Sequence, residues 1–164
     1  MKTIMIGPDP EQRTMKLTRI KKMKVLDFYT ADTGVKMELP YAGNISAGFP
    51  SPADDYMDMR LDLNRELVRN PNATFYGRVK GNSMQNIGIH DGDVLVIDRS
   101  LEPANDAVAV CYIDGEFTVK RVHVEGQSCY LMPENSEFKP IPVSEDNHFL
   151  IWGIVTYVIK KMKA

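Results

Sequence analysis

A serine and a lysine in this chain have the residue types of a nucleophile and its base. Ser83 stands in Gly81-Asn82-Ser83-Met84, and Lys120 closes Asp114-Gly115-Glu116-Phe117-Thr118-Val119-Lys120. A serine hydroxyl is a weak nucleophile at neutral pH and needs a neighbour to take its proton. Lysine serves if it is neutral, which means lowering a pKa of about 10.4 by desolvation. The Ser-Lys pair is a convergent variant of the catalytic triad. Upstream lies a bond between two small residues, Ala47-Gly48, within Ile45-Ser46-Ala47-Gly48-Phe49-Pro50-Ser51-Pro52. A nucleophile, a tunable base and a cuttable bond point to a chain that cuts itself once.

Each residue alone has a plainer reading. A serine after Gly-x is usually a turn serine, and most lysines snorkel to water. Context favours chemistry. Alternation along Glu116–Val124 puts Lys120 on one face with Val122 and Val124, and Arg121 on the other. A lysine on an apolar face tends to shed its proton. Gly81 permits a backbone shape that exposes Ser83, making the Ser83 backbone N–H the oxyanion-hole candidate. Gly92 and Gly115 place turns that could fold the two segments together. His90, His123 and His148 fall in no hydrolase motif, and Gly-x-Ser-x-Gly is absent. They read as ordinary histidines. Cys111 and Cys129 form no close-spaced metal or redox pair and read as reduced, buried hydrophobes, which suits a cytoplasmic protein. No metal or cofactor is expected.

These residues need a scaffold. After position 71 the pattern is strand-like, with candidate strands Thr74–Lys80, Val94–Asp98, Ala107–Ile113, Glu116–Val124, Ser128–Met132 and Phe149–Lys160. Asp91-Gly92-Asp93 and Asp114-Gly115 are turn signals. Residues 62–70 predict a short helix with Asp62 as N-cap and Pro71 as its stop. Residues 25–38 predict short strands about a turn near Ala31-Asp32-Thr33-Gly34. The segment 39–56 holds Pro40, Gly43, Gly48, Pro50 and Pro52, so it predicts an extended stretch able to enter a cleft. The sum is a mainly β, mostly antiparallel domain with a short helix and an extended N-terminal arm. The expected division is an arm, 1–47, removed by the cut, and a β-rich peptidase-like and dimerisation domain, 48–164.

Composition narrows the partners. The chain has 164 residues and a net charge of -2, which opposes a general nucleic-acid binder. Residues 1–47 carry 8 of the 20 Lys/Arg and 5 of the 22 Asp/Glu, a net of +3; the other 12 and 17 leave 48–164 at -5. The basic cluster Lys16, Arg19, Lys21, Lys22 and Lys24 reads as a solvated face or tail, or else a contact to nucleic acid or an acidic partner. Met15 and Met23 are alternative starts. The apolar run Phe149–Ile159 is too short to span a bilayer as a helix, and the first residues make no signal peptide. That run has more apolar surface than one strand face usually needs, which fits either a strand buried in the core or self-association.

Taken together, these motifs resemble the LexA/UmuD family of self-cleaving serine peptidases, and within it the UmuD-type mutagenesis proteins. The similarity covers about Gly48 to Lys163. It rests on Gly48-Phe49-Pro50-Ser51-Pro52-Ala53 with Asp55-Tyr56, Asp62-Leu63-Asn64, Gly81-Asn82-Ser83-Met84, Asp91-Gly92-Asp93 and the run ending at Lys120. The resemblance implies a LexA/signal-peptidase-like fold, with Ser83 as nucleophile, Lys120 as base and the cut at Ala47-Gly48. It implies activation by a RecA filament on single-stranded DNA. It further implies a trimmed homodimer that joins a Y-family, UmuC-like polymerase in translesion synthesis. The arm is longer than is typical of UmuD-type proteins. Three other readings are weaker. A LexA-like transcriptional regulator needs a DNA-binding domain before the cut, and the 47 residues there show no helix-turn-helix pattern. A signal peptidase needs a membrane anchor. A catalytically idle partner-binding scaffold would not need both dyad positions filled.

Overall fold

Strand alternation and turn chemistry set the architecture. A computed structural model describes residues 26–31, 33, 38–41 and 59–163. The strands are β1 (Leu26–Thr30), β2 (Glu38–Tyr41), β3 (Met59–Asp62), β4 (Thr74–Val79), β5 (Val94–Asp98), β6 (Val108–Ile113), β7 (Glu116–Glu125), β8 (Ser128–Met132), β9 (Ile141–Val143) and β10 (Phe149–Ile159). One helix, α1 (Leu63–Leu67), follows β3. The bond Ala47-Gly48, the segment 42–58 and the basic cluster 14–24 lie outside the described residues.

Eight strands form one antiparallel sheet in the order β1-β4-β5-β10-β6-β7-β8-β9, and β2 pairs with β3 in a separate ribbon. Asp114 and Gly115 join β6 to β7 with φ of 47° and 92°. Both values are positive, as the two-residue hairpin turn requires, and Asp-Gly adopts them readily. The Asp114 carboxylate then accepts from the His148 amide at 2.8 Å and the Asn147 side chain at 2.7 Å, fixing the start of β10 beside the hairpin.

Two apolar clusters cover the two faces. One gathers Leu26, Phe28, Val79, Met84, Ile89, Leu95, Ile97, Val110 and Val119, with Trp152 packed against it. The other gathers Ala109, Cys111, Val122, Cys129, Leu131 and Ile151. Along β6 and β7 consecutive residues alternate between clusters, the period-two rule acting on strands buried on both sides. The same fact explains the length of the Phe149–Ile159 run. β10 lies between β5 and β6, so most of its apolar residues serve two faces of a core, and its exposed large apolar residues are the last two, Val158 and Ile159.

Two local features depart from the sequence pattern. The helix covers five residues instead of nine. Asp62 caps it as expected, accepting from the Asn64 amide at 3.0 Å, but Val68 is extended and buried, which ends the helix ahead of Pro71. β9 is a three-residue edge strand whose Pro142 hides its strand character. β1 lies in the span where short strands are expected and pairs with β4, and β2 pairs with β3; both precede the expected cut.

At Gly153 of β10 the end of β5 leaves no room for a side chain. A Cβ there would lie 2.6 Å from Ile97 Cγ2 and 3.2 Å from Arg99 Cγ. Gly153→Ala overpacks this contact and is expected to destabilise the fold by about 1–3 kcal/mol. Thermal denaturation should show the midpoint falling by roughly 2–10 °C; an unchanged midpoint would mean that Ile97 moves aside freely.

Candidate active site

β7 carries Lys120, the candidate base. Lys120 is 6% exposed, opposite Ala109 of β6 and on the face of Val122. Its Nζ reaches three acceptors, each at 2.9 Å: Ser83 Oγ, Thr118 Oγ1 and the Val119 carbonyl. Three acceptors match the three N–H bonds of an ammonium. In the neutral amine, two donors toward Thr118 and Val119 leave the lone pair facing Ser83, whose hydroxyl can then donate. Burial pushes Lys120 below the usual lysine value. A negative Cys111 would oppose that, but burial drives the Cys111 thiol up to about 12, so it stays uncharged near neutral pH.

Ser83, the candidate nucleophile, lies in the connection from β4 to β5. Met84, next to Ser83, is 1% exposed and anchors the loop in the core with Ile89. Gly81, at φ 95°, turns the chain out of β4, and its amide donates to Asp91 Oδ1 at 2.7 Å. Gly92 N–H donates to the Val79 carbonyl and Val79 N–H to the Asp93 carbonyl, both at 2.9 Å, closing the loop at its base. Asp93 accepts from Lys160 at 2.6 Å and from the His90 amide at 2.8 Å. Burial pushes its carboxyl up, but these contacts outweigh that and hold it below the usual range.

A second tether comes from the segment after β8, which sequence reasoning missed. Glu134 N–H donates to the Ser83 carbonyl at 2.8 Å, and Asn86 N–H donates to the Glu134 carbonyl at 2.9 Å. Asn135, 5% exposed, donates from Nδ2 to the Asn82 carbonyl at 3.0 Å. The Glu134 carboxylate accepts from Arg121, the neighbour of Lys120 on β7. One segment therefore grips both the nucleophile loop and the base strand. Its sequence signal is weak, because the partners are far apart in the chain; Thr118, by contrast, was visible two residues before Lys120 on the same strand face.

The other candidates lie elsewhere. His123 Nδ1 is 2.7 Å from Asp106 Oδ1, and His90 contacts Lys160 at 3.0 Å, both away from the dyad. Cys111 and Cys129 are free and buried. Among the described residues no group of three or more His, Cys, Asp or Glu side chains is placed to hold a metal ion, and no helix is long and apolar enough to cross a membrane. Among the described residues Ser83 N–H meets no acceptor.

A family model described as Peptidase S24-like matches residues 40–156, a span that holds Ala47, Gly48, Ser83 and Lys120. Protein MucA of Salmonella typhimurium is 44% identical over 137 residues, 82% of this chain and 93% of that protein. Protein SamA of Salmonella typhimurium is 40% identical over 118 residues, 72% of this chain and 81% of that protein. Protein ImpA of Escherichia coli is 39% identical over 125 residues, 75% of this chain and 83% of that protein.

The buried lysine has a signature in stability. Between its lowered folded value and about 10.5, the unfolded chain holds a proton that the folded chain lacks, so stability rises with pH through that window. In a Ser83→Ala background, which prevents cutting, the chain with Lys120 should gain stability on its Lys120→Met counterpart as pH rises from 7 toward 10. Each unit of depression adds about 1.4 kcal/mol to that gain. Urea denaturation across the pH series reads it, and two parallel curves would show a lysine that titrates normally.

Proposed function

The chain belongs to the Peptidase S24-like family, and on that premise we propose that it cuts its own Ala47-Gly48 bond, with Ser83 as nucleophile and Lys120 as general base. The observation that carries this reading is the 2.9 Å contact between Lys120 Nζ and Ser83 Oγ, with the lysine buried and its pKa lowered.

In the proposed reaction Ser83 Oγ attacks the Ala47 carbonyl carbon as its proton passes to Nζ of neutral Lys120. Ser83 N–H faces the developing oxyanion. The C–N bond then breaks, and the proton on Nζ goes to the Gly48 nitrogen, which becomes the amine of a new chain end. Water, deprotonated by Lys120, attacks the Ala47 ester. The proton returns from Nζ to Ser83 Oγ as the acid leaves. Thr118 and the Val119 carbonyl keep the Nζ lone pair aimed at Ser83 throughout.

The biological reading follows the family. A RecA filament on single-stranded DNA stimulates the cut by stabilising the docked form of the cleavable segment, which takes water from Lys120 and lowers its pKa further. The trimmed chain then works in the cytoplasm as a homodimer and as an accessory subunit of a Y-family, UmuC-like polymerase in SOS mutagenesis. No membrane partner and no direct DNA contact by the body enter this reading. Val158 and Ile159 are 39% and 42% exposed at the end of β10, and Met162 just beyond is 75% exposed, which favours self-association there.

Cleavage should speed up by about tenfold per pH unit below the Lys120 pKa and level off above it. Ser83→Ala and Lys120→Ala should each abolish it while circular dichroism stays unchanged. Lys120→Arg should fail too, because a guanidinium stays protonated at working pH. Intact-mass measurement should find pieces of 47 and 117 residues, the lengths on either side of the Ala47-Gly48 bond. A Lys120→Ala chain cutting at the wild-type rate would remove the lysine from the mechanism. Sedimentation of the cleaved protein at micromolar concentration should show a dimer, and a strict monomer would refute self-association.

A further inference from the structure

The first strand among the described residues is built into the core. β1 pairs with β4 in five-residue antiparallel register, from Leu26↔Val79 to Thr30↔Phe75. Leu26 is 0% and Phe28 8% exposed, and both belong to the cluster that holds Met84, the residue after the nucleophile. The Phe28 ring packs 4.7 Å from Trp152 and 5.1 Å from Phe117. Asp27 and Lys80 form an ion pair at 3.0 Å. β2 is held separately, pairing with β3 from Glu38↔Asp62 to Tyr41↔Met59. All these anchors belong to residues before position 47, and all their partners lie after it.

We propose that cutting the Ala47-Gly48 bond does not free the 1–47 piece. β1 stays paired with β4 as a noncovalent strand, so the β4 edge and the apolar seat under Phe28 are covered until β1 dissociates in a second, slower step. This rests on the assigned cut and deepens it: the cut removes the covalent link, and strand dissociation sets when the surface opens. Hydrolysis of a bond outside β1 and β2 removes none of their hydrogen bonds or buried contacts. The sequence carries a built-in reporter, because Trp152 is the single tryptophan and touches Phe28.

The test lets the full chain cut, confirms the cut by denaturing mass measurement, and then examines the products by native size exclusion and Trp152 fluorescence. The 1–47 piece is expected to co-elute with 48–164 at micromolar concentration, with Trp152 emission unchanged from the intact chain. Separate elution with red-shifted emission would overturn the proposal. Phe28→Ala should speed loss of the piece by more than about a hundred-fold. Tyr29→Ala, on the exposed side of β1, should change it little. A second arm keeps the proposal testable if self-cleavage fails. There a Ser83→Ala chain is nicked within 42–58 by an added protease with an engineered recognition site. Co-elution supports the proposal and separation overturns it, whatever Ser83 does.

Discussion

A lysine amine buried in an apolar strand face must find acceptors or lose its proton, and the rest of this domain is arranged around that constraint. Lys120 has both outcomes available. Its three acceptors satisfy the ammonium, and burial makes the neutral amine accessible. Either condition alone would defeat the chemistry. A fully solvated lysine would stay charged near neutral pH, and a buried lysine without partners would destabilise the fold severely. The requirement propagates outward. Nζ can serve Ser83 only if the hydroxyl is held at hydrogen-bond distance, so the loop from β4 to β5 has to be fixed more firmly than most loops.

That fixing comes from three directions. Met84 and Ile89 plug the loop into the core. The Asp91-Gly92-Asp93 turn ties its base to β4 and, through Lys160, to the end of β10. Glu134 and Asn135 hold Asn82, Ser83 and Asn86 from the other side. The Arg121–Glu134 pair couples this segment to β7, so the base and the nucleophile share a brace. Arg121 and Lys120 are adjacent in sequence but point to opposite faces. One face of β7 supplies the proton acceptor and the other supplies the brace.

Much of this could be read from the sequence, for physical reasons that can be named. Asp114-Gly115 fixed the β6–β7 hairpin because few other dipeptides tolerate two positive φ values. Period-two alternation identified the buried side of β7 because that strand is regular and packed on both faces. The Asp62 cap was visible because capping is local. What stayed hidden depends on pairing between distant segments. Lys120 and Ser83 are 37 positions apart, and Asn135 and Asn82 are 53 apart. No local pattern encodes either contact, and the motif resemblance alone joined the first pair. The pairing of β1 was hidden for the same reason: a short strand was expected there, but its partner, β4, is not its neighbour in sequence.

The topology also bears on why a peptidase of this kind would act on itself. β2 and β3 bring Tyr41 and Met59 into register, so residues 42–58 connect two paired strands and the ends of that connection are already together. For such a closed connection, most of the entropy of bringing a substrate segment to a cleft has been lost on folding, whereas a separate peptide would lose it on binding. In the reaction we propose, the same closure limits cutting to one event, since the connection exists once per chain and is not regenerated. A cleft tuned to that situation would need little affinity of its own: specificity would come from tethering, and rate from how often the neutral lysine, the held serine and the docked bond occur together. The brace and the burial favour the first two, which leaves docking of the connection as the step on which the proposed activator has the most to act.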